Sequence, residues 1–326
     1  MFRGRAPASF SRTDGTVLHV LVLGSAAGGG FPQWNCNCEA CRRARSGEPG
    51  AVARTQSSLA VSADDRHWFL LNASPDLRQQ INANPLLHPR DGLRHSPVSG
   101  VVLTNGDIDH VAGLLSLRES SPLVVYATAR VLAILDGNAI FRVLNPDLVQ
   151  RREIELGTPF DLTTADGEAA GLSVEPFAVP GKVALYLEDA GAGPNFGTTP
   201  EDTVGLRVTA PGTGAYFFYV PGCAAMTKDL AARIKGAPLV LFDGTLWHDD
   251  EMTDAGLGVK TGRRMGHMSM SGADGSMAAF EDLGVERKVF IHINNSNPAL
   301  LDDSPERDAI RAADWDVAFD GMEFSL

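Results

Sequence analysis

The sequence of 326 residues contains no apolar run as long as the roughly 18–20 residues that a membrane-spanning helix requires. It also has no excess of basic residues, since 28 lysines and arginines face 40 aspartates and glutamates, and the formal net charge is −12. Affinity for nucleic acid backbones needs a basic face and is therefore not expected. No continuous apolar segment follows the arginines near the N-terminus, so a secretory signal is not predicted. We expect a soluble, cytoplasmic protein that binds neither membrane nor nucleic acid.

Cysteine is scarce, but its placement is informative. Three of the four cysteines, Cys36, Cys38 and Cys41, form the pattern C-x-C-x-x-C. This spacing is too tight for a disulfide framework and is typical of metal ligation in a reducing compartment. We predict a structural Zn²⁺ held on one turn and the start of a helix over residues 39–45, with three free buried thiols as the alternative. The candidates for the fourth ligand are Cys223, His248 and a group in residues 294–297.

The composition is that of an ordinary folded protein, with 44% hydrophobic and 21% charged residues, and its 34 glycines and 19 prolines favour many short strands and loops. Apolar runs predict strands over residues 17–24, 57–62, 67–72, 99–103, 123–127, 152–156, 172–179, 183–187, 203–209, 215–220, 238–243 and 289–294. Helices are predicted over residues 39–45, 111–115, 129–136, 228–235 and 272–283, with another capped by Ser74. This alternation indicates an α/β fold, a four-layered αβ/βα sandwich. We expect one domain over residues 16–326 behind a flexible extension over residues 1–15.

The segment N-G-D-I-D-H, residues 105–110, follows directly after the apolar strand over residues 99–103. It places Asp107, Asp109 and His110 at a strand end, where functional side chains gather because the sheet fixes them and the loop stays accessible. The crowding of ionisable groups favours a metal or catalytic site. The alternative is a helix cap, in which Asp107 or Asp109 accepts hydrogen bonds from the first amides of a helix.

Further ionisable residues lie near the ends of later strands. Asp243 and His292 do so directly, and His267 lies in a loop between them. Asp109, His110 and His292 together offer two imidazoles and one carboxylate, which suits non-haem Fe(II) and leaves positions open for dioxygen or substrate. Each histidine alone could be a hydrogen-bonded core residue, and Asp243 could be a helix cap after its strand.

The segment over residues 105–110 resembles the H-x-H-x-D-H motif of the metallo-β-lactamase superfamily, with Asn105 and Asp107 in place of the two leading histidines. In that superfamily the leading histidines hold one metal and the D-H pair holds the other. A later histidine of the first site is missing from residues 177–181, and a bridging aspartate is replaced within residues 221–223. The resemblance implies a four-layered fold with one metal, held by the remaining ligands.

A more specific resemblance is to the coenzyme PQQ biosynthesis protein B family. It is carried by residues 23–38, 103–110, 242–245, 266–268 and 291–298. It implies a cytoplasmic role in pyrroloquinoline quinone (PQQ) synthesis, in which Fe(II) and dioxygen hydroxylate the tyrosine-derived ring of a cross-linked Glu-Tyr precursor. The implied partners are this small acidic substrate and other PQQ biosynthesis proteins, and a homodimer is left open. The alternatives are a non-catalytic carrier or exporter of PQQ and a metal-dependent hydrolase.

The expected roles of the site residues follow from both lines of reasoning. The iron ligands would be Asp109, His110 and His292. His267 and Asp107 are the candidate catalytic residues, with His267 as an acid/base partner or a ligand of the substrate phenol. Asn105 and Asp243 would bind substrate or orient the ligands.

Overall fold

The computed structural model describes residues 17–193 and 195–326. The predicted extension over residues 1–15 lies outside the described residues, and the single domain stays a prediction. Among the residues described, no helix combines the length and the apolar character needed to cross a membrane.

The described chain forms fourteen strands and nine α-helices. The strands are β1 His19–Gly24, β2 Ser58–Ser62, β3 Trp68–Leu71, β4 Val98–Val102, β5 Leu123–Ala127, β6 Val149–Glu153, β7 Phe160–Thr163, β8 Ala169–Ala178, β9 Val204–Ala210, β10 Ala215–Val220, β11 Val240–Asp243, β12 Lys288–Ile291, β13 Asp316–Val317 and β14 Glu323–Ser325. The helices are α1 Glu39–Arg45, α2 Leu77–Ala83, α3 Ile108–Val111, α4 Ala129–Gly137, α5 Lys228–Ile234, α6 Glu251–Asp254, α7 Gly262–Met265, α8 Ser276–Ala279 and α9 Pro305–Ala312.

The strands form two seven-stranded sheets. The first has the order β14-β1-β2-β3-β4-β5-β6, and the second has the order β13-β12-β11-β10-β9-β8-β7. In each sheet one half is antiparallel, whereas β3 to β6 and β10 to β13 are parallel. Because parallel strands end at the same edge, residues that follow β4, β11 and β12 are brought to the corresponding edges of their sheets.

The main core lies between the two sheets, and helices cover both outer faces. Within β3, Phe69 and Leu71 pack into the core between the sheets, whereas Trp68 and Leu70 pack beneath the helices of the outer face. Successive side chains of a strand point to opposite faces, so a strand covered on both faces is apolar throughout. The result is the predicted αβ/βα sandwich, in four layers.

Some predicted elements are wrong. Residues 183–187 do not form a strand but contain the 3₁₀ turn Leu185–Leu187, whose three apolar side chains are exposed. The predicted helix over residues 272–283 is reduced to α8, since Gly272 has a φ of +88° and interrupts helical geometry. Strand β7 was not predicted, because its F-D-L-T sequence is short and half polar.

Two predicted helix starts are displaced. The helix expected at Ser74 begins at Leu77, and the Ser74 hydroxyl donates to Oε1 of Gln80 instead of capping. The helix expected over residues 111–115 begins earlier, as α3, and continues as the 3₁₀ helix Ala112–Leu117. The C-terminal elements α9, β13 and β14 were not predicted from the sequence.

Candidate metal centre

The site lies where the two sheets meet at their ends. Asp109 and His110 belong to α3, which follows β4 in the first sheet, and His292 follows β12 in the second. Ala26, just beyond β1, pairs with both Gln56 and Ile293 and so joins the two sheets beside the site. Residues separated by most of the chain therefore share one pocket.

Asp109, His110 and His292 form a compact group of potential metal ligands. Their ligand atoms lie within 4.8 Å of one another. Nε2 of His292 lies 3.0 Å from Oδ2 of Asp109, and Nε2 of His110 lies 4.0 Å from the same oxygen. Two imidazoles and a carboxylate at this separation can converge on a single ion.

The environment of His110 fits a metal. Its Nδ1 donates to Oδ1 of Asn105 at 2.7 Å, which fixes the tautomer and leaves a lone pair on Nε2. Nε2 is buried and has no hydrogen-bond partner among the residues described. Burial also lowers the pKa of His110 to about 4, so the imidazole is neutral near pH 7, as a metal ligand must be. An orphaned buried nitrogen of this kind is costly unless an ion completes it.

Thr245 links His292 to a second pair of ionisable residues. Its hydroxyl donates to Oδ1 of Asp243 at 2.7 Å and accepts from Nδ1 of His292 at 2.9 Å. Oδ2 of Asp243 accepts from Nδ1 of His267 at 2.7 Å. Nε2 of each imidazole therefore takes no part in these hydrogen bonds. No helix begins directly after β11, so the helix-cap interpretation of Asp243 is wrong.

Burial and neighbouring charges shift the pKa values of the site residues in different directions. Burial disfavours ionised Asp109, but His110 and the hydrogen bond from His292 hold the pKa of Asp109 well below its ordinary value. Burial likewise disfavours charged His292, but its bond to Asp109 raises the pKa of His292. Burial and the neighbouring Asp109 raise the pKa of Asp107. The two aspartates of the motif are therefore pushed in opposite directions.

Asp107 and Asn105 play different structural parts. Asp107 occupies the position before α3, but its side chain makes no capping bond, so the cap interpretation is wrong for this residue. Its carboxylate joins none of the clusters of ligand atoms found in the described chain. Asn105 accepts from the amide of Asp107 at 3.0 Å as well as from His110, and so fixes the turn around the ligand.

Cys36, Cys38 and Cys41 also come together, with their sulfurs within 4.8 Å of one another. Burial disfavours their thiolates, yet hydrogen bonds from the Cys38 amide and neighbouring thiols lower the pKa of Cys36. Burial raises the pKa of Cys38 to about 12. A cation is therefore needed to hold Cys38 as a thiolate near neutral pH, which is what a structural Zn²⁺ does.

One of the three candidate sources of a fourth ligand lies beside this cluster. Asn295, from residues 294–297, is buried and donates through Nδ2 to Sγ of Cys41 at 3.4 Å. Cys223 instead lies beside Asp243, whose Oδ2 accepts from its amide at 2.8 Å. His248 is half exposed and lies near Asp254. The predictions of Cys223 and His248 are not supported by this placement.

Sequence reasoning missed several polar residues around the site. Thr245 could have been noticed, since it lies two residues after Asp243. No motif marks Lys182, Tyr186 or Glu188, which lie within or next to residues 183–187, the segment predicted as a strand. Tyr186 donates its hydroxyl to the carbonyl of Gly106 at 2.6 Å, which ties this segment to the metal-site motif.

Comparison with known proteins defines the class first. Residues 67–293 match the family model of the β-lactamase superfamily domain. A diphosphatase of the PhnP family has the same fold, with a TM-score of 0.66 at 18% identity over 95% of this chain and 97% of that one. The fold is thus that of a β-lactamase superfamily protein.

Closer relatives narrow the class. Coenzyme PQQ synthesis protein B of Bradyrhizobium diazoefficiens is 56% identical over 95% of this chain and all of the relative, and that of Methylorubrum extorquens is 53% identical over 95% and all of the relative. The crystal structure of Zn²⁺-bound PqqB from Methylobacterium extorquens has a TM-score of 0.89 at 53% identity, over 94% of this chain and all of that one. The chain belongs to the coenzyme PQQ synthesis protein B family.

Proposed function

We propose that this chain acts in PQQ synthesis as a non-haem iron oxygenase that hydroxylates a tyrosine-derived ring with Fe(II) and dioxygen. The names of its relatives support the role in PQQ synthesis. The observation that carries the iron chemistry is the group of Asp109, His110 and His292, with Nε2 of His110 buried and unpartnered among the described residues. Two histidines and one carboxylate are the ligand set of non-haem Fe(II) oxygenases.

A single ion fits the site better than a pair. Asn105, at the position of a leading superfamily histidine, uses its oxygen to orient His110. Asp107, at the position of the other, stays outside the cluster. Asp243, His267 and His292 form a neighbouring group of potential ligands, but this group shares His292 with the first, and its Asp243 and His267 are already joined by a hydrogen bond of 2.7 Å. Among the described residues, the two-metal clamp that hydrolases use therefore lacks two independent sets of ligands.

The protein's residues prepare the site for a phenolic substrate. When bound, Fe(II) would supply the redox chemistry that activates dioxygen beside an electron-rich ring. Asn105 and Thr245 hold His110 and His292 in the tautomers that turn Nε2 toward the ion. Asp243 orients His267 through Nδ1, so Nε2 of His267 is the atom that takes the phenolic proton. Asp107, whose pKa is raised, is placed to hold or return a proton.

The remaining parts of the proposal concern cofactors, partners and location. We assign Fe(II) to the open centre and a structural Zn²⁺ to the cysteine cluster. The substrate is a small acid derived from tyrosine and glutamate, produced and consumed by other PQQ biosynthesis proteins in the cytoplasm.

The test uses anaerobically purified, Fe(II)-loaded protein incubated with the tyrosine-derived precursor. Because the ring would supply the two electrons that reduce the second oxygen atom to water, we expect dioxygen uptake and a product that gains one oxygen and loses two hydrogens per insertion. His110→Ala should abolish both. His248→Ala serves as the matched control, because that imidazole is half exposed and outside the cluster. No oxygen consumption, with His110→Ala binding finished PQQ as well as the wild type, would instead favour a carrier.

A further inference from the structure

A positively charged cluster lies beside the metal centre. Lys182, Lys260 and Arg264 surround the carboxylate of Glu188, and these four residues are called the Glu188 cluster below. Arg264 binds the carboxylate with two hydrogen bonds, of 2.9 and 2.7 Å, and Nζ of Lys182 lies 3.2 Å from it. Nζ of Lys260 lies 3.8 Å away. Three positive charges thus share one negative charge within the cluster.

This cluster adjoins the proposed catalytic residues. Arg264 is three residues before His267, and a Cβ at Gly266 would lie 2.9 Å from Cγ of Lys182. Between Lys182 and Glu188, the hydroxyl of Tyr186 donates to the carbonyl of Gly106 at 2.6 Å, which joins this segment to the metal-site motif. The backbone carbonyl of Lys182 accepts from the hydroxyl of Thr203, which holds the segment in place.

A cavity of about 860 Å³ opens beside Lys182 and Arg264, the two members of the cluster that line it. Its walls include Lys182, Arg264 and the aromatic rings of Phe177 and Phe196. The guanidinium of Arg264 lies 3.8 Å from the centre of the Phe196 ring. This volume lies within the range of small-molecule sites, and cations beside aromatic rings suit a flat, acidic, aromatic ligand.

The other arginines of the cavity are already neutralised. Arg233 pairs with Glu175 at 2.5 Å, and Arg263 pairs with Asp274. The excess positive charge is therefore concentrated on the Glu188 cluster. The hydrogen bonds from Arg264 lower the pKa of Glu188 to about 2, so this side chain is a carboxylate at any physiological pH.

We propose that the Glu188 cluster binds a carboxylate of an acidic aromatic substrate, and that Glu188 occupies this position until the substrate displaces it. The identity of the substrate rests on the proposed function, but the carboxylate site does not. Glu188 is bound as Arg binds an exogenous carboxylate, through two parallel hydrogen bonds. It lies one residue beyond the 3₁₀ turn Leu185–Leu187, in a segment without strand partners, so it can move aside without breaking a sheet.

The test measures binding of PQQ, a tricarboxylic acid, and of its trimethyl ester to metal-loaded protein by titration calorimetry. The acid should bind wild type and the ester should not. Arg264→Met should weaken binding of the acid roughly 10-fold or more, since hydrogen bonds to charged groups contribute about 1.5–3 kcal/mol. Glu188→Gln should strengthen it several-fold, because the competing carboxylate is removed. A purely structural role for the cluster predicts weaker binding from both substitutions.

Arg142→Gln is the matched control, since it removes one exposed positive charge from the 3₁₀ helix Ala139–Val143, away from the cavity. It should leave binding unchanged, and thermal unfolding should show that every variant is folded. Equal binding of acid and ester, unchanged binding by Arg264→Met, or weaker binding by Glu188→Gln would each overturn the inference. These outcomes are independent of oxygen uptake, whose absence overturns the proposed function alone.

Discussion

Two clusters of potential metal ligands, the group of Asp109, His110 and His292 and the group of three cysteines, differ in how their donor atoms are prepared. Around Asp109, His110 and His292, hydrogen bonds that each imidazole donates to a side-chain oxygen fix its tautomer, while Asp109 stays partly exposed. Around Cys36, Cys38 and Cys41, the bonds come from backbone amides and from Asn295, on a turn that opens α1. The first arrangement leaves one donor side chain partly exposed, and the second has two of its three sulfur-bearing side chains buried.

This difference indicates which cluster should perform chemistry and which should support the fold. A catalytic ion needs an open position and oriented ligands, whereas a structural ion needs only enclosure. The two clusters are linked by residues 292–295, which contribute His292 to one and Asn295 to the other. Substitutions in each cluster, and between them, should therefore give separable effects.

The largest effect is expected from His110→Ala. Removing a ligand should lower the dioxygen uptake by more than about 100-fold, since loss of a mere supporting contact already costs 10- to 100-fold. Elemental analysis should show loss of iron with zinc retained. Loss of both metals together would show that the clusters are not separate.

The converse substitution is Cys41→Ser, at a fully buried position. Zinc should be lost, and the free energy of unfolding should fall on the order of 3–5 kcal/mol, because a structural metal stabilises only the folded state. Iron binding should survive in the fraction that remains folded. The comparison variant, Cys223→Ser, lies outside the cluster and should keep its zinc; zinc loss there would contradict the assignment.

A smaller effect is expected from Glu251→Gln, at the start of α6. Glu251 accepts a hydrogen bond from Ser296, and burial raises the pKa of Glu251 to about 7 from an ordinary value of 4.5. The folded state therefore binds this proton more tightly than the unfolded state. This difference contributes on the order of 3 kcal/mol to the free energy of unfolding. The contribution is complete below pH 4.5 and is lost as the pH rises through 7.

Denaturant unfolding of wild type and Glu251→Gln at several pH values checks this. Between pH 5 and pH 8, the stability of the glutamine variant relative to wild type should rise with pH, following the titration of Glu251. Parallel stability curves for the two proteins would show that Glu251 is not the group responsible.

The smallest effect is expected from Thr245→Val, which is nearly isosteric. His292 and Asp243 each lose a hydrogen-bond partner, so Fe(II) affinity should fall about 10- to 100-fold while the fold is retained. Competition with a chelator measures the Fe(II) affinity. Thr253→Val, at an exposed position in α6, is the control and should bind Fe(II) as wild type does.

Local sequence patterns were sufficient for much of the fold. The apolar run over residues 123–127 and the start and end of α1 were predicted to the residue, because each depends on neighbours in sequence. The grouping of Asp109, His110 and His292 was predicted from their positions near strand ends, although β4 and β12 belong to different sheets and the residues meet only because the two sheets pack together. Their roles as ligands stay a prediction until metal contents are measured.

Other features depend on contacts between distant segments and were not visible. The apolar run over residues 183–187 resembles a strand, but the segment pairs with no strand and contains a 3₁₀ turn instead. The Glu188 cluster joins residues from two segments that are distant in sequence, residues 182–188 and residues 260–264, the second of which includes the start of α7. The pairing of Asn295 with Cys41 likewise exists only after the sheets have assembled.

Asp109 and His292 lie 183 positions apart along the chain, although their side chains touch. During synthesis, the first two ligands leave the ribosome long before the third exists. A chain that has not yet incorporated β12 offers an ion only one carboxylate and one imidazole, which bind weakly. On the proposed assignment, acquisition of the metal would require that both sheets have assembled, and unfinished chains would be protected from uncontrolled reaction of bound iron with oxygen.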